Sequence, residues 1–115
     1  MTGDPEIGQY SDSPRTADTH RLLAILAAHR SGLRDLARTY YARDIHVFGS
    51  VARGDAGPHS DIDLLASFTG PDYEQLMSML GLAEQLTELF GVAVDVVARE
   101  LAVDFVPGPT IALEM

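Results

Sequence analysis

The sequence predicts one α/β domain of the α+β kind, with helices packed on a small mixed β-sheet. Three observations lead there. The segments Ile45 to Phe48, Asp61 to Phe68 and Val92 to Ala98 read as short strands, the latter two splitting their residues between two faces. The stretches before and between them repeat apolar residues at helical spacing. A chain of 115 residues, 46% of them apolar, is enough for one core and too short for a second.

Residues 1–16, MTGDPEIGQYSDSPRT, are rich in Gly, Pro, Ser, Asp and Thr without apolar periodicity and read as a mobile tail. From Thr16 or Asp18, either able to cap a helix, Leu22, Leu23, Ile25, Leu26, Leu33, Leu36 and Tyr40 recur at helical spacing. Gly32 is expected to divide this stretch into helices over about 18–30 and 33–42. Ile45 to Phe48 forms the first strand and ends at Gly49, after which Ser50 to Arg53 makes a helical turn closed by Gly54. In the second strand Ile62, Leu64, Ala66 and Phe68 share one face, and Asp61, Asp63, Leu65 and Ser67 the other.

Pro71 and Asp72 announce a long helix, with Gln75 placed for a capping box and Gly91 as its stop. Tyr73, Leu76, Met77, Leu80, Ala83, Leu86 and Phe90 are its expected buried stripe, with Met77 and Met79 as gap-filling residues. The third strand sets Val92, Val94 and Val96 against Ala93, Asp95 and Val97. The folded domain is expected over 17–103, and residues 104–115, interrupted by Pro107-Gly108-Pro109, form a C-terminal tail with no assigned element.

Composition narrows the function classes. Residues 1–20 carry four acids against Arg15, residues 21–53 six arginines against Asp35 and Asp44, and residues 54–115 eleven acids against Arg99, for a formal charge of −9. Phosphate backbones need a basic footprint, so nucleic acid is a poor candidate partner. No run of eighteen apolar residues exists, and nothing at the start looks like a secretion signal, so the expected compartment is the cytoplasm and no membrane association is anticipated. Zero cysteines exclude disulfides and thiolate metal sites.

Chemistry concentrates in HVFGSVARGDAGPHSDIDLLASF, residues 46–68. Asp61 and Asp63 point the same way by strand alternation, and Asp95 stands in a valine-rich strand where a carboxylate is disfavoured. Two such charges about 4 Å apart repel by about 1 kcal/mol in water and about 4 kcal/mol at an effective dielectric of about 20. A divalent cation reverses that repulsion, and an all-oxygen donor set suits Mg²⁺, with Mn²⁺ as an alternative. Gly49 and Ser50 open a helical turn whose unpaired N–H groups suit a phosphate, and Arg53 adds a cationic fork. Together they describe a nucleoside triphosphate site.

Each of these residues also has a purely structural explanation: a solvent-exposed strand end for the aspartate pair, an edge-strand acid for Asp95 and a surface ion pair for Arg53. Other phosphate and metal loops fail on spacing. Without lysine there is no Walker loop, no Gly-x-Gly-x-x-Gly follows a strand, and Leu65 and Ala66 occupy required EF-hand positions. His20, His29 and His46 read as packing or surface residues; so does His59, two before Asp61, with contact to a bound phosphate as its minor alternative. Arg30, Arg34 and Arg38 share a helix face that reads as solvated, with docking against an acidic partner as the alternative.

Gly-Ser, ten residues, Asp-x-Asp and a third acid on a later strand resemble the DNA polymerase beta-like nucleotidyltransferase superfamily, and VFGSVARGD with SDIDLL resembles its minimal nucleotidyltransferases, antitoxins that act beside HEPN-domain toxins. The resemblance spans about residues 20–100 and implies a nucleotidyltransferase fold. It further implies that Asp61 and Asp63 bind two metal ions, that Asp95 binds the catalytic one and helps deprotonate the acceptor, and that Gly49 and Ser50, with Arg53 nearby, hold the β- and γ-phosphates. The implied reaction moves a nucleotide, AMP from ATP or its counterpart from another triphosphate, to a protein hydroxyl such as a toxin tyrosine. The alternatives are an antitoxin that neutralises by binding alone, and a transferase for a small molecule such as an aminoglycoside. The oligomeric state is left open. Related chains usually finish with another helix, which the Pro-Gly-Pro stretch here interrupts.

Overall fold

The computed structural model describes residues 14–114, so most of the expected N-terminal tail lies outside the described residues. Helices α1 (Ala17–Ala28) and α2 (Arg30–Thr39) lead into strand β1 (Arg43–Phe48) and the short helix α3 (Gly49–Arg53). Strand β2 (Ile62–Ser67), helix α4 (Asp72–Phe90), strand β3 (Val94–Ala98) and a two-residue strand β4 (Ile111–Ala112) follow. The sheet order is β3-β2-β1-β4. β1 runs antiparallel to both β2 and β4, whereas β2 and β3 are parallel and are joined by α4 as their crossover. The mixed sheet with helices matches the fold class read from the sequence.

One core explains the arrangement. Ile45, Val47, Ile62, Leu64, Ala66, Val94, Val96 and Ala98 cover one face of the sheet and pack with Leu22, Leu26 and Leu33 from α1 and α2 and Leu82, Leu86 and Phe90 from α4. The residues that alternate with them, Phe48, Asp63 and Asp95, stand on the opposite face, which no helix of that core covers.

The helix start at Thr16 is as expected: its Oγ1 accepts the Thr19 N–H at 3.1 Å. The break between α1 and α2 is at His29 and not at Gly32. His29 Nδ1 lies 2.9 Å from the Ile25 carbonyl, and its ring tilts against Phe90. Gly32 sits inside α2, where a Cβ would come within 2.8 Å of Leu89 Cδ2, so this glycine permits close helix approach and does not terminate one.

α4 differs from its expected packing. Leu82, Leu86 and Phe90 are buried with Gln75, but Tyr73 (71% exposed), Leu76 (40%), Met77 (50%) and Leu80 (53%) face outward. At about 100° per residue the two sets lie roughly 130° apart around the helix. The helix is apolar on two faces, and among the described residues the sheet covers one of them. Gln75 makes no capping box: its Nε2 donates to the Gly70 carbonyl at 2.8 Å, and the N-cap is Pro71. Gly91 ends the helix in the left-handed region as expected, at φ 73°.

The segment after β3 contains an element the sequence did not reveal. β4 pairs His46 with Ala112 and Val47 with Ile111 on the free edge of β1. To reach it the chain crosses from one edge of the sheet to the other, and Phe105 meets Phe48 edge-on at 5.2 Å between ring centres.

Candidate active site

β1 delivers the chain into α3 at Gly49, whose φ of 72° lies in the left-handed region that favours glycine. A Cβ at this position would collide with Asp63 Oδ2, so the backbone of the turn lies directly against that carboxylate. No side chain caps α3 at its start, and Gly54, at φ 86°, closes it with its N–H donating to the Ser50 carbonyl at 2.9 Å. Ser50 occupies the first turn and is partly exposed.

Asp63 lies opposite Phe48 in the antiparallel pair and beside Asp95 in the parallel one. Both strand neighbours therefore share its face. Asp61, just ahead of β2, lies near enough to act on Asp63 electrostatically. The Asp63 carboxyl is pushed up to about 6, by burial first and then by like-charge repulsion from Asp95 and Asp61, with Arg53 opposing them. Arg53 also pairs with Asp55, Nε to Oδ2 at 3.3 Å, on the exposed side of the turn. The surface ion pair and the place beside the carboxylates coexist at this residue.

The structure thus sets Asp63 and Asp95 on one face of the sheet with Gly49 against Asp63, keeps Asp61 and Arg53 near enough to act on Asp63 electrostatically, and leaves Ser50 on the adjoining turn. Among the described residues no three acidic or imidazole groups already close on a common point, so the carboxylates share a face rather than a centre. Their chemistry nonetheless fits a hard divalent cation: the donors are carboxylate oxygens, and their mutual repulsion is of the kind a cation relieves. His59 lies on the exposed loop before Asp61.

A support that the sequence pattern does not show holds this loop. Thr19, fully buried, accepts the Ala56 N–H at 2.9 Å, and the Thr16 hydroxyl donates to the Ala56 carbonyl at 2.7 Å. The Thr16 N–H donates to the Gly54 carbonyl at 3.0 Å. The start of α1 therefore clasps the segment running from α3 to Asp61. A threonine in the first turn of a helix carries no local sign of a partner some forty residues away.

Carboxylates side by side on parallel strands, against a glycine-opened turn at the end of a neighbouring strand, fit the nucleotidyl-transfer class of enzyme. The comparisons agree. The model of the nucleotidyltransferase domain family matches residues 29–112, and the chain belongs to that family. A protein adenylyltransferase MntA from Thermococcus cleftensis is 38% identical over 76 residues, covering 66% of this chain and 72% of that relative. A Methanocaldococcus jannaschii chain assigned as a protein adenylyltransferase is 34% identical over 76 residues, covering 66% and 73%. A solved structure assigned as a minimal nucleotidyltransferase superimposes with a TM-score of 0.58 at 33% identity, covering 81% of this chain and 95% of that one. A toxin-antitoxin crystal structure with AMP-PNP shares the fold, with a TM-score of 0.55 at 22% identity over 71% of this chain and 69% of that one.

Proposed function

We propose that this nucleotidyltransferase is a protein adenylyltransferase of the cytoplasm, the antitoxin of a toxin pair, which transfers AMP from ATP to a hydroxyl of its partner, such as a tyrosine of a HEPN-domain toxin. The observation that carries the reading is the contact between the Gly49 backbone and the Asp63 carboxylate, with Asp95 alongside. This contact supports a site in which phosphates would lie against a cation. The relatives named protein adenylyltransferases support AMP as the group moved and protein as the acceptor. The toxin-antitoxin neighbour supports the kind of partner.

On this reading Asp61, Asp63 and Asp95 hold Mg²⁺, which when bound offsets the charge of the triphosphate and makes its α-phosphorus attackable. The N–H groups of the turn at Gly49 and Ser50 and the Ser50 hydroxyl orient the β- and γ-phosphates. Arg53 adds positive charge on the same side. Asp95, exposed at the edge strand, accepts the proton of the incoming hydroxyl, and pyrophosphate leaves from the side of the turn.

The test is incubation with ATP labelled in its α-phosphate, Mg²⁺ and the polypeptide encoded beside this chain. Label on a tyrosine of that polypeptide, lost in the Asp61→Asn, Asp63→Asn double variant, is the expected outcome. No label on the partner overturns the reading. If the double variant still protects cells from the toxin, neutralisation works by binding instead.

A further inference from the structure

The outward stripe on α4 has no part in the site described above. Tyr73, Leu76, Met77 and Leu80 occupy two successive turns, about 10 Å of helix, and all four are substantially exposed. Tyr41, 70% exposed, lines a groove of about 470 Å³ with Gly70, Glu74 and two of the four, Tyr73 and Met77; Leu76 and Leu80 extend the apolar surface beyond it. Large apolar side chains gathered in this way mark interaction surfaces more often than scattered ones do.

Charge identifies the occupant. Every charged residue of α4 is acidic: Asp72, Glu74, Glu84 and Glu88. Glu84 continues the apolar stripe one turn past Leu80, and Glu74 borders the groove. A second copy laid α4 against α4 would set acid rim on acid rim. The arginines that could relieve this, Arg34 and Arg38, line a separate groove with Arg43 and Asp44. An anionic lipid surface recruits helices with basic polar faces, and nucleic acid needs a basic footprint, so both are disfavoured by the same four acids.

We propose that this face seats an amphipathic helix of another protein, one whose apolar stripe is flanked by lysine or arginine. Such a helix fills the groove beside Tyr41 with its apolar side chains and meets the acidic border with its flanks. Electrostatic complementarity of this kind sets the orientation and speeds association. α4 packs on the face of the sheet opposite Asp63 and Asp95, so an occupied α4 leaves the carboxylates open. The proposal does not rest on the transfer reaction, and its failure would leave the proposed function standing.

Two synthetic peptides test it. Each has roughly 18 residues, long enough to cover the stripe, and the same leucine stripe. One has lysine and arginine flanks, the other glutamate. Neither contains tyrosine, so tyrosine fluorescence and amide NMR shifts of the full chain report binding. The basic peptide is expected to bind at least about tenfold more tightly than its acidic twin at low salt. Shifts should be confined to Tyr41 and residues 73–84, with Mg-ATP binding unaffected. Leu80→Glu, and separately Met77→Glu, should weaken binding by about tenfold or more while leaving the thermal midpoint in place, since both side chains face solvent. Equal binding of the two peptides, no binding of either, or shifts elsewhere would overturn the proposal. So would a dimer of the free chain that Leu80→Glu dissolves, or co-sedimentation with anionic vesicles.

Discussion

Asp63 and Asp95 are Cα partners in the parallel ladder between β2 and β3, which sends two carboxylates out of the same face of the sheet side by side. In a fold without a bound cation this pairing is unfavourable, and that cost supplies a measurable signature.

The first signature is a pH dependence of stability. The Asp63 carboxyl is raised from 3.8 to about 6, by burial first and then by Asp95 and Asp61. The folded chain thus holds this proton more tightly than the unfolded one. The stability associated with it is present below pH 3.8 and is lost as pH rises through about 6. Asp63→Asn removes the titrating group. In metal-free buffer its thermal midpoint should exceed that of the parent above pH 6, with the difference closing below pH 4. Thermal melts across that range check it.

Replacing Asp95 separates chemistry from folding. The side chain is exposed, so Asp95→Asn should fold normally. It removes a like charge beside Asp63 and, on the proposed mechanism, the group that takes the hydroxyl proton. Turnover should fall on the order of 10²–10⁴-fold. Single-turnover transfer of labelled AMP, with circular dichroism as the folding control, measures both effects.

Gly49→Ala should damage stability and ligand response together. The left-handed φ of 72° disfavours any side chain, and the new Cβ collides with the Asp63 carboxylate. The expected loss is about 1–3 kcal/mol. Mg-ATP is expected to raise the thermal midpoint of the parent, and that rise should vanish in the variant, as differential scanning fluorimetry will show.

Thr19→Val keeps the shape of the side chain and deletes the hydroxyl. The Ala56 N–H then loses its acceptor in a buried place, at a cost of about 1–3 kcal/mol. Urea denaturation gives the stability change. Weakened Mg-ATP binding would show that the clasp also positions the loop before Asp61.

The layout of the candidate site was partly legible because its signals are local. Alternation placed Asp61 and Asp63 on one face, and Gly49-Ser50 stood at the end of a recognisable strand. What the sequence left open was register, since only the parallel pairing of β2 with β3 sets Asp95 beside Asp63. Periodicity also misplaced Tyr73, Leu76, Met77 and Leu80, because it shows that a face is apolar without showing what covers it. Gly32 looked like a helix breaker because propensity is local, whereas its role is set by Leu89 on another helix. β4 escaped notice because two residues after a Pro-Gly-Pro stretch carry no period, and the strand exists only through the edge of β1.

The Thr16 and Thr19 clasp makes the first turn of α1 and the loop around Ala56 a single mechanical part. Tension applied to the polypeptide ahead of Pro14 would pass through these few hydrogen bonds to the approach of Asp61 before it loaded the sheet. In a pulling experiment the loop before Asp61 should therefore release early, at low force, while the strands stay zipped.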